Sequence, residues 1–95
     1  MSKTLSLLLD NQKDFLKFLK ERYLLFHESN LFFRDIHYGV MAFLAMHDRS
    51  AGYSDAESVA REFVHALEKQ NILIPLDART WMLNYPEFKK PPVKP

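Results

Sequence analysis

Residues 30–48 read NLFFRDIHYGVMAFLAMHD, and this stretch decides how the chain must fold. Its apolar residues recur at helical spacing, so we expect a helix with Asn30 as its N-cap that ends near Asp48. At about 100° per residue, one broad face carries large side chains. These are Phe32, Phe33, Ile36, Val40, Phe43 and Leu44. A second apolar set lies roughly opposite and comprises Leu31, Tyr38, Met41, Ala42 and Ala45. A chain of only 95 residues must therefore cover both faces of one helix.

Gly39 lies in the middle of this predicted helix. A glycine in a helix interior costs about 1 kcal/mol relative to alanine. We therefore expect Gly39 either to permit a close crossing by another helix or to mark a kink.

An earlier helix is predicted from about Thr4 to Glu28. Its main apolar stripe follows spacings of three, four and seven. The stripe consists of Leu5, Leu8, Leu9, Leu16, Leu19, Tyr23 and Phe26. A second, narrower apolar line consists of Leu7, Phe18 and Leu25. Asp10–Asn11 leaves open a break into two shorter helices, because these side chains compete for backbone hydrogen bonds.

A third helix is predicted after the turn at Gly52. Ser54 and Glu57 have the spacing of a capping box, in which the first caps the helix and the second bonds back to it. One clean apolar stripe follows, and it is made of Ala56, Val59, Ala60, Phe63 and Leu67. Asn71 is expected to end this helix.

The last part of the domain is predicted to be a β-hairpin. Ile72–Ile74 forms the first strand and Pro75 ends it, residues 76–79 turn the chain, and Thr80–Tyr85 alternates as the second strand. Two strands are marginally stable alone, so the hairpin must lean on the helices. The expected fold class is mainly α, with three helices and a short hairpin forming one domain over residues 1–88. Residues 89–95, KKPPVKP, are expected to be a flexible Pro/Lys tail.

This layout resembles a winged helix, in which three helices precede a hairpin. The stretch FVHALEKQNILIPLDARTWMLN, residues 63–84, is similar to the last helix and wing of that class. The resemblance concerns layout over about the last 40 residues. It implies a DNA-binding transcriptional regulator with residues 54–70 as recognition helix and residues 77–79 as wing tip.

The charges oppose that use of the third helix. Its polar side carries Asp55, Glu57, Glu62 and Glu68 against Arg61 and Lys69, and an acidic face is repelled by phosphates. The alternative nucleic-acid residues are basic and comprise Lys13, Lys17, Lys20, Arg61 and Arg79. The three lysines alternate with acidic residues, which favours a solvated helix face over a phosphate-binding patch.

Composition narrows the function classes further. The formal net charge is +1, so the chain has no strong overall positive field that would attract a polyanion such as DNA. It contains no cysteine, which excludes thiolate chemistry. The apolar run Val40–Met46 is too short to span a bilayer, and we expect a cytoplasmic protein. Glu62 and His65 show a metal-ligand spacing without the second copy that such sites need. With no nucleophile elbow and two glycines, we expect no enzyme, no metal and no cofactor.

The surplus apolar surface points to a partner. Leaving it exposed as one contiguous patch is unusual for a monomer. The predicted partner-binding residues are Leu7, Phe18, Leu25, Tyr38, Met41, Ala42, Ala45 and Trp81. We therefore expect a small non-enzymatic regulatory or adaptor protein acting through protein–protein contact, with a homodimer or another protein covering this surface.

Overall fold

The computed structural model describes residues 3–23, 25–49 and 51–89. These residues form a mainly helical domain with a small antiparallel sheet, which confirms the expected class at that level. The elements are α1 (Lys3–Asp10), α2 (Gln12–Tyr23), β1 (Asn30–Phe32), α3 (Phe33–Met46), α4 (Tyr53–Lys69), β2 (Leu73–Asp77), β3 (Thr80–Leu83) and a 3-10 turn (Pro86–Phe88). Of the predicted tail, only Lys89 lies within the described residues.

The single first helix predicted over residues 4–28 is wrong, and the alternative of two shorter helices is right. α1 ends at Asp10, and the side-chain amide of Asn11 donates a hydrogen bond to the carbonyl oxygen of Leu7 at 2.9 Å. That local bond competes with helix continuation. α2 then ends at Tyr23, and the chain turns at Glu28, which has a φ of 70°.

Residues 30–32 form a strand, which corrects their predicted place in the central helix. β1 pairs antiparallel with β3, with Leu31 opposite Trp81 and Phe32 opposite Thr80. The strand covers the free edge of the hairpin, and a third strand makes such a sheet more stable. α3 starts at Phe33, so Phe32 does not lie on the predicted core face of the helix, and its side chain is exposed.

α4 has the predicted amphipathic character. Its buried residues include all five of the predicted stripe and Val64. The capping box does not form, because the helix begins at Tyr53 and Gly52 is its N-cap, without a side-chain cap bond. Asn71 ends the helix as expected. It adopts a left-handed φ of 61°, and Ile72 N donates to Leu67 O at 2.9 Å.

Pro75 lies within β2 rather than ending it. The strand order β1-β3-β2 places β2 at an edge of the sheet, where a proline is tolerated. The register shifts between Pro75 and Asp77, which marks an irregularity in the strand. β3 ends at Leu83 instead of Tyr85.

The core is centred where α2, α3 and α4 meet. The Phe15 ring contacts Phe43 and Phe63 edge to face, with centroids 5.3 Å and 5.1 Å away. Gly39 of α3 faces Leu19 of α2 so closely that a methyl group added at Gly39 would collide with the leucine side chain. Of the two roles predicted for Gly39, the structure supports the close crossing.

Candidate interaction surface

A cleft of about 610 Å³ opens between the first half of α3, the first half of α4 and the β2–β3 turn. β1 runs directly into α3, so the consecutive residues at this junction reach the cleft together. The lining is aromatic and charged, and it comprises Phe32, Phe33, Arg34, Asp35, His37, Tyr38, Tyr53, Glu57, Arg61, Ala78 and Arg79.

His37 organises the aromatic side of the cleft. Its ring lies 4.4 Å from the Tyr53 ring and stacks on Tyr38 at 5.6 Å with an interplanar angle of 10°. Its Nε2 lies 2.9 Å from the backbone carbonyl oxygen of Tyr53. A carbonyl only accepts, so Nε2 carries the proton and donates. The start of α4 is thereby tied to α3.

This tautomer leaves Nδ1 of His37 with an unused lone pair. Every fully buried side-chain nitrogen and oxygen of the described residues has a hydrogen-bond partner. Nδ1 has none, so it borders accessible space, and the cleft is the space that His37 lines. A bound group could therefore donate a hydrogen bond there.

Three aromatic side chains at the mouth of the cleft are unusually exposed. The exposed fractions are 51% for Phe32, 42% for Tyr38 and 57% for Tyr53. We call these three residues the aromatic rim. The Tyr38 and Tyr53 rings lie 6.4 Å apart between centroids, and rings of this size contribute much of the burial when a surface is covered.

The charged side chains around the rim carry both signs. Arg61 lies over the Phe33 ring at 4.7 Å and 3.8 Å from the Glu57 carboxylate. Arg34, Arg79 and Asp35 make no ion pair within the described part of the chain. Within the described part of the chain, the cleft lining therefore includes two cations and one carboxylate that have no ion-pair partner.

The exposed side of α3 continues the aromatic rim along the helix. Asp35, Tyr38, Ala42, Ala45 and Met46 lie within an arc of about 100°, and we call these five residues the α3 face. Asp35 and Ala42 are half-buried, the other three are exposed, and 66% of Met46 is exposed.

The chain reverses direction at the end of α3. Asp48 has a left-handed φ of 54°. Arg49 N donates to Leu44 O at 2.8 Å, and Asp48 N donates to Ala45 O at 3.3 Å. This is the Schellman arrangement, in which the chain reverses at once after the helix.

The structure divides the predicted partner-binding residues. Leu25 and Trp81 are buried in the chain's own core, so their assignment to a partner surface is corrected. Leu25 follows the early end of α2, and Trp81 lies on the central strand with its indole N–H donating to Glu68 at 2.8 Å. Three other residues of the predicted set are half-buried and packed against the core, namely Leu7, Phe18 and Met41. Tyr38, Ala42 and Ala45 remain on the α3 face.

The predicted nucleic-acid residues are not brought together. Lys13 pairs with Glu87 at 3.3 Å, and Lys20 lies over the Phe26 and Phe88 rings. Lys17 is exposed on the same helix, α2. The structure brings only Arg61 and Arg79 to the cleft, which none of these lysines lines.

Metal-binding side chains do not cluster in the described part of the chain. Residues 3–23, 25–49 and 51–89 contain no group of three histidine, cysteine, aspartate or glutamate side chains able to hold a metal. His65 lies 3.4 Å from Glu68, its neighbour one turn along α4. None of the described helices is long and apolar enough to cross a membrane.

The sequence reasoning missed most of the cleft. The sequence pattern places Phe32 and Phe33 on the core face of the central helix and does not single out Tyr53. The available signal was the run Leu31–Phe33, which suits a strand as well as a helix. Comparison with protein-family models, with curated proteins and with solved structures finds no match.

Proposed function

We propose that this chain is a small non-enzymatic protein of regulatory or adaptor type, which acts through protein–protein contact and forms a homodimer. The observation that carries the proposal is the exposure of Phe32, Tyr38 and Tyr53 around one cleft, beside the exposed Met46. Removing apolar surface from water returns about 25 cal/mol per Å². A partner that covers the aromatic rim and the α3 face would remove this apolar surface from water and so gain that free energy, whereas in the single chain the surface stays exposed.

The charges favour a second copy of the chain as that partner. A two-fold contact sets one patch against itself, so the patch must be self-complementary. Arg34 and Asp35 are neighbours in the chain, carry opposite charges and both line the cleft. A surface with one sign of charge would repel the same surface of a second copy, whereas a surface with both signs can bring opposite charges together.

Sedimentation equilibrium over a wide concentration range tests the proposal. We expect the wild-type mass to rise reversibly from 11.2 kDa towards twice that value. Ala45→Arg puts a large cation on the α3 face without entering the core, and it should keep the protein monomeric. Ser58→Arg, at an exposed position of α4 outside the cleft lining, is the matched control and should still dimerise. A wild-type mass of 11.2 kDa at every concentration contradicts the proposal.

A second candidate is a winged-helix DNA-binding regulator. It is supported by the order of the elements, in which helices precede a hairpin and the short β1 adds to the sheet beside β3. The charge of α4 opposes it, because Asp55 and Glu62 are exposed on the helix that would enter the groove.

Fluorescence anisotropy with a labelled duplex at two salt concentrations separates the candidates. A DNA-binding role predicts an affinity that falls steeply with salt and is lost when Lys13, Lys17 and Lys20 are changed to glutamate. Arg79→Ala should weaken binding as well if the hairpin acts as a wing. The homodimer proposal expects no salt-dependent duplex binding.

A further inference from the structure

We propose that the cleft between α3, α4 and the β2–β3 turn binds a small aromatic anion. The carboxylate or phosphate group of this ligand binds Arg34 and Arg79. Its ring packs against Tyr38 and Tyr53, and an N–H or O–H group on the ring donates a hydrogen bond to Nδ1 of His37. This inference goes beyond the proposed self-association and does not depend on it.

Three arginines lie around the first residue of α3. The backbone N–H of Phe33 donates to the carbonyl oxygen of Arg79 at 2.9 Å, which joins the β2–β3 turn to the start of the helix. Arg34 is the next residue along α3, and Arg61 lies over the Phe33 ring at 4.7 Å. The turn is fixed further, because the backbone N–H of Arg79 donates to the Asp77 carboxylate at 2.8 Å. The backbone therefore brings two exposed arginines to the same end of the cleft.

The charge at this end of the cleft favours an anionic group. The lining contains Arg34, Arg61 and Arg79 against two carboxylates. Of these carboxylates, Glu57 lies 3.8 Å from Arg61, and Asp35 lies in the first turn of α3, where it interacts favourably with the helix dipole. Arg34 and Arg79 make no ion pair within the described part of the chain. Guanidinium groups bind carboxylate and phosphate oxygens with paired hydrogen bonds, so these two arginines suit one such group.

The buried histidine adds a second requirement. Only 3% of His37 is exposed, and its Nε2 donates to the carbonyl oxygen of Tyr53. Its Nδ1 has no hydrogen-bond partner among the described residues, and the cleft is the space that His37 lines. This nitrogen can only accept a hydrogen bond. A ring that carries an N–H or O–H group satisfies it, whereas a purely apolar ring does not.

The two parts of the cleft are close enough for one small molecule to span them. Arg34, His37 and Tyr38 are three and four residues apart on α3, so they share one side of the helix within about 6 Å along its axis. Tyr38 and Tyr53 are exposed, and their ring centroids lie 6.4 Å apart. The cleft volume of about 610 Å³ is within the usual range of small-molecule sites, about 300–1,000 Å³.

Two sources supply this chemistry, namely a purine nucleotide and an aromatic carboxylic acid. Adenosine monophosphate and indoleacetate are the two probes, because each joins a flat ring with an N–H donor to one anionic group. Adenosine and indoleacetamide are the matched neutral probes. Inorganic phosphate supplies the anion without a ring.

Chemical-shift titration of the isotope-labelled protein measures both affinity and location. We expect at least one anionic ring probe to bind at least about tenfold more tightly than its neutral counterpart and than phosphate. The largest shifts should occur at the side-chain N–H signals of Arg34 and Arg79 and at the Tyr53 ring. Binding of one probe alone identifies the source as a nucleotide or as a carboxylic acid.

Methylation of the ring N–H groups of the probe tests the hydrogen bond without altering the protein. The methylated probe should bind more weakly than its parent. It should also no longer move the Nδ1 nitrogen signal of His37, because it has no ring proton to donate.

Charge removal tests the anion subsite. Arg34→Gln and Arg79→Gln should each weaken binding of the anionic probe about tenfold. Lys17→Gln is the matched control, because it removes an exposed charge on α2 outside the cleft lining, and it should leave the affinity unchanged. Circular dichroism verifies that each variant is folded.

Several results would overturn the inference. These are the absence of saturable binding by both anionic ring probes, phosphate binding as tightly as they do, equal affinity for charged and neutral probes, and shifts confined to residues outside the cleft. Affinity that is indifferent to ring methylation or to both arginine variants overturns it as well. None of these results bears on self-association, which is measured separately by the mass of the protein in the absence of a probe.

Discussion

Replacing Gly39 by alanine should destabilise the protein, although alanine is the better helix former. The added Cβ would collide with the Cδ2 of Leu19 and would lie 3.6 Å from the Phe15 ring. Leu19 and Phe15 are both fully buried, so neither has free space into which it can move. Overpacking of this kind costs about 1–3 kcal/mol, against a helix-propensity gain of about 1 kcal/mol. We expect a net loss of about 1 kcal/mol in the free energy of unfolding.

A double-mutant cycle isolates the collision. Leu19→Ala alone should cost about 2–5 kcal/mol, because it leaves a cavity. In that background Gly39→Ala no longer meets a Cδ2 atom, and its methyl group partly fills the space, so the same change should stabilise by about 1 kcal/mol. The coupling between the two sites should therefore be about 2 kcal/mol.

Urea unfolding followed by circular dichroism measures the cycle, with all four proteins at one concentration so that self-association does not alter the comparison. Additive effects, or stabilisation by Gly39→Ala in the wild-type background, would refute the close crossing of α2 and α3.

Three further predictions concern the hairpin and the segment that follows it. Trp81→Phe removes the indole hydrogen bond to Glu68, so it should cost about 2 kcal/mol in urea unfolding, and Glu68→Gln, which keeps an acceptor, should cost less. A hydrogen bond from the backbone N–H of Arg79, and then hydrogen bonds from Thr80, lower the pKa of Asp77. The Asp77 carboxylate therefore stabilises the folded state fully above the ordinary carboxyl pKa, and this stabilisation is lost as the pH falls through the lowered pKa of the folded state. Asp77→Asn should remove this dependence of stability on acid. Burial, and then the Glu87 carboxylate, raise the pKa of Tyr85; absorbance titration should show one phenol ionising late, and Glu87→Gln should move it towards, but not fully to, the ordinary value.

Local periodicity was sufficient to predict the amphipathic α4. The stripe of Ala56, Val59 and Phe63 repeats at helical spacing, and the structure buries all three. The hairpin was predicted for a similar reason, because the large Trp81 and Leu83 alternate with Thr80 and Met82 in β3. Such patterns lie within one element, so the sequence contains the whole signal.

β1 could not be predicted in the same way. Leu31 and Phe32 fit a helical stripe as well as a strand, and their state depends on pairing with β3, about 50 residues later in the chain. The same non-local pairing turns Phe32 outward and brings Phe33 to the cleft. The candidate site was therefore missed where a long-range contact overrides a local pattern.

The sequence predicts that apolar surface remains exposed on the folded chain, but it does not identify all the residues that form this surface. Trp81 and Leu25 are covered by the chain itself, because the sheet and the early end of α2 give them places in the core. The large apolar side chains that remain exposed in the described residues are Phe32, Tyr38, Met46, Tyr53 and Leu76; of these, only Tyr38 belongs to the predicted partner-binding set.

An isotope-filtered nuclear Overhauser experiment on a mixed sample tests self-association through α3 most directly. Copies with a labelled Met46 methyl group are mixed with unlabelled copies. Within one chain, Tyr38 and Met46 are about 12 Å apart along the helix, too far for a signal. A cross-peak between the labelled methyl and a proton of the α3 face that lies too far from it within one chain, such as one on the Tyr38 ring, is the predicted result. Its absence, under conditions where every other contact within the chain is visible, would contradict the account.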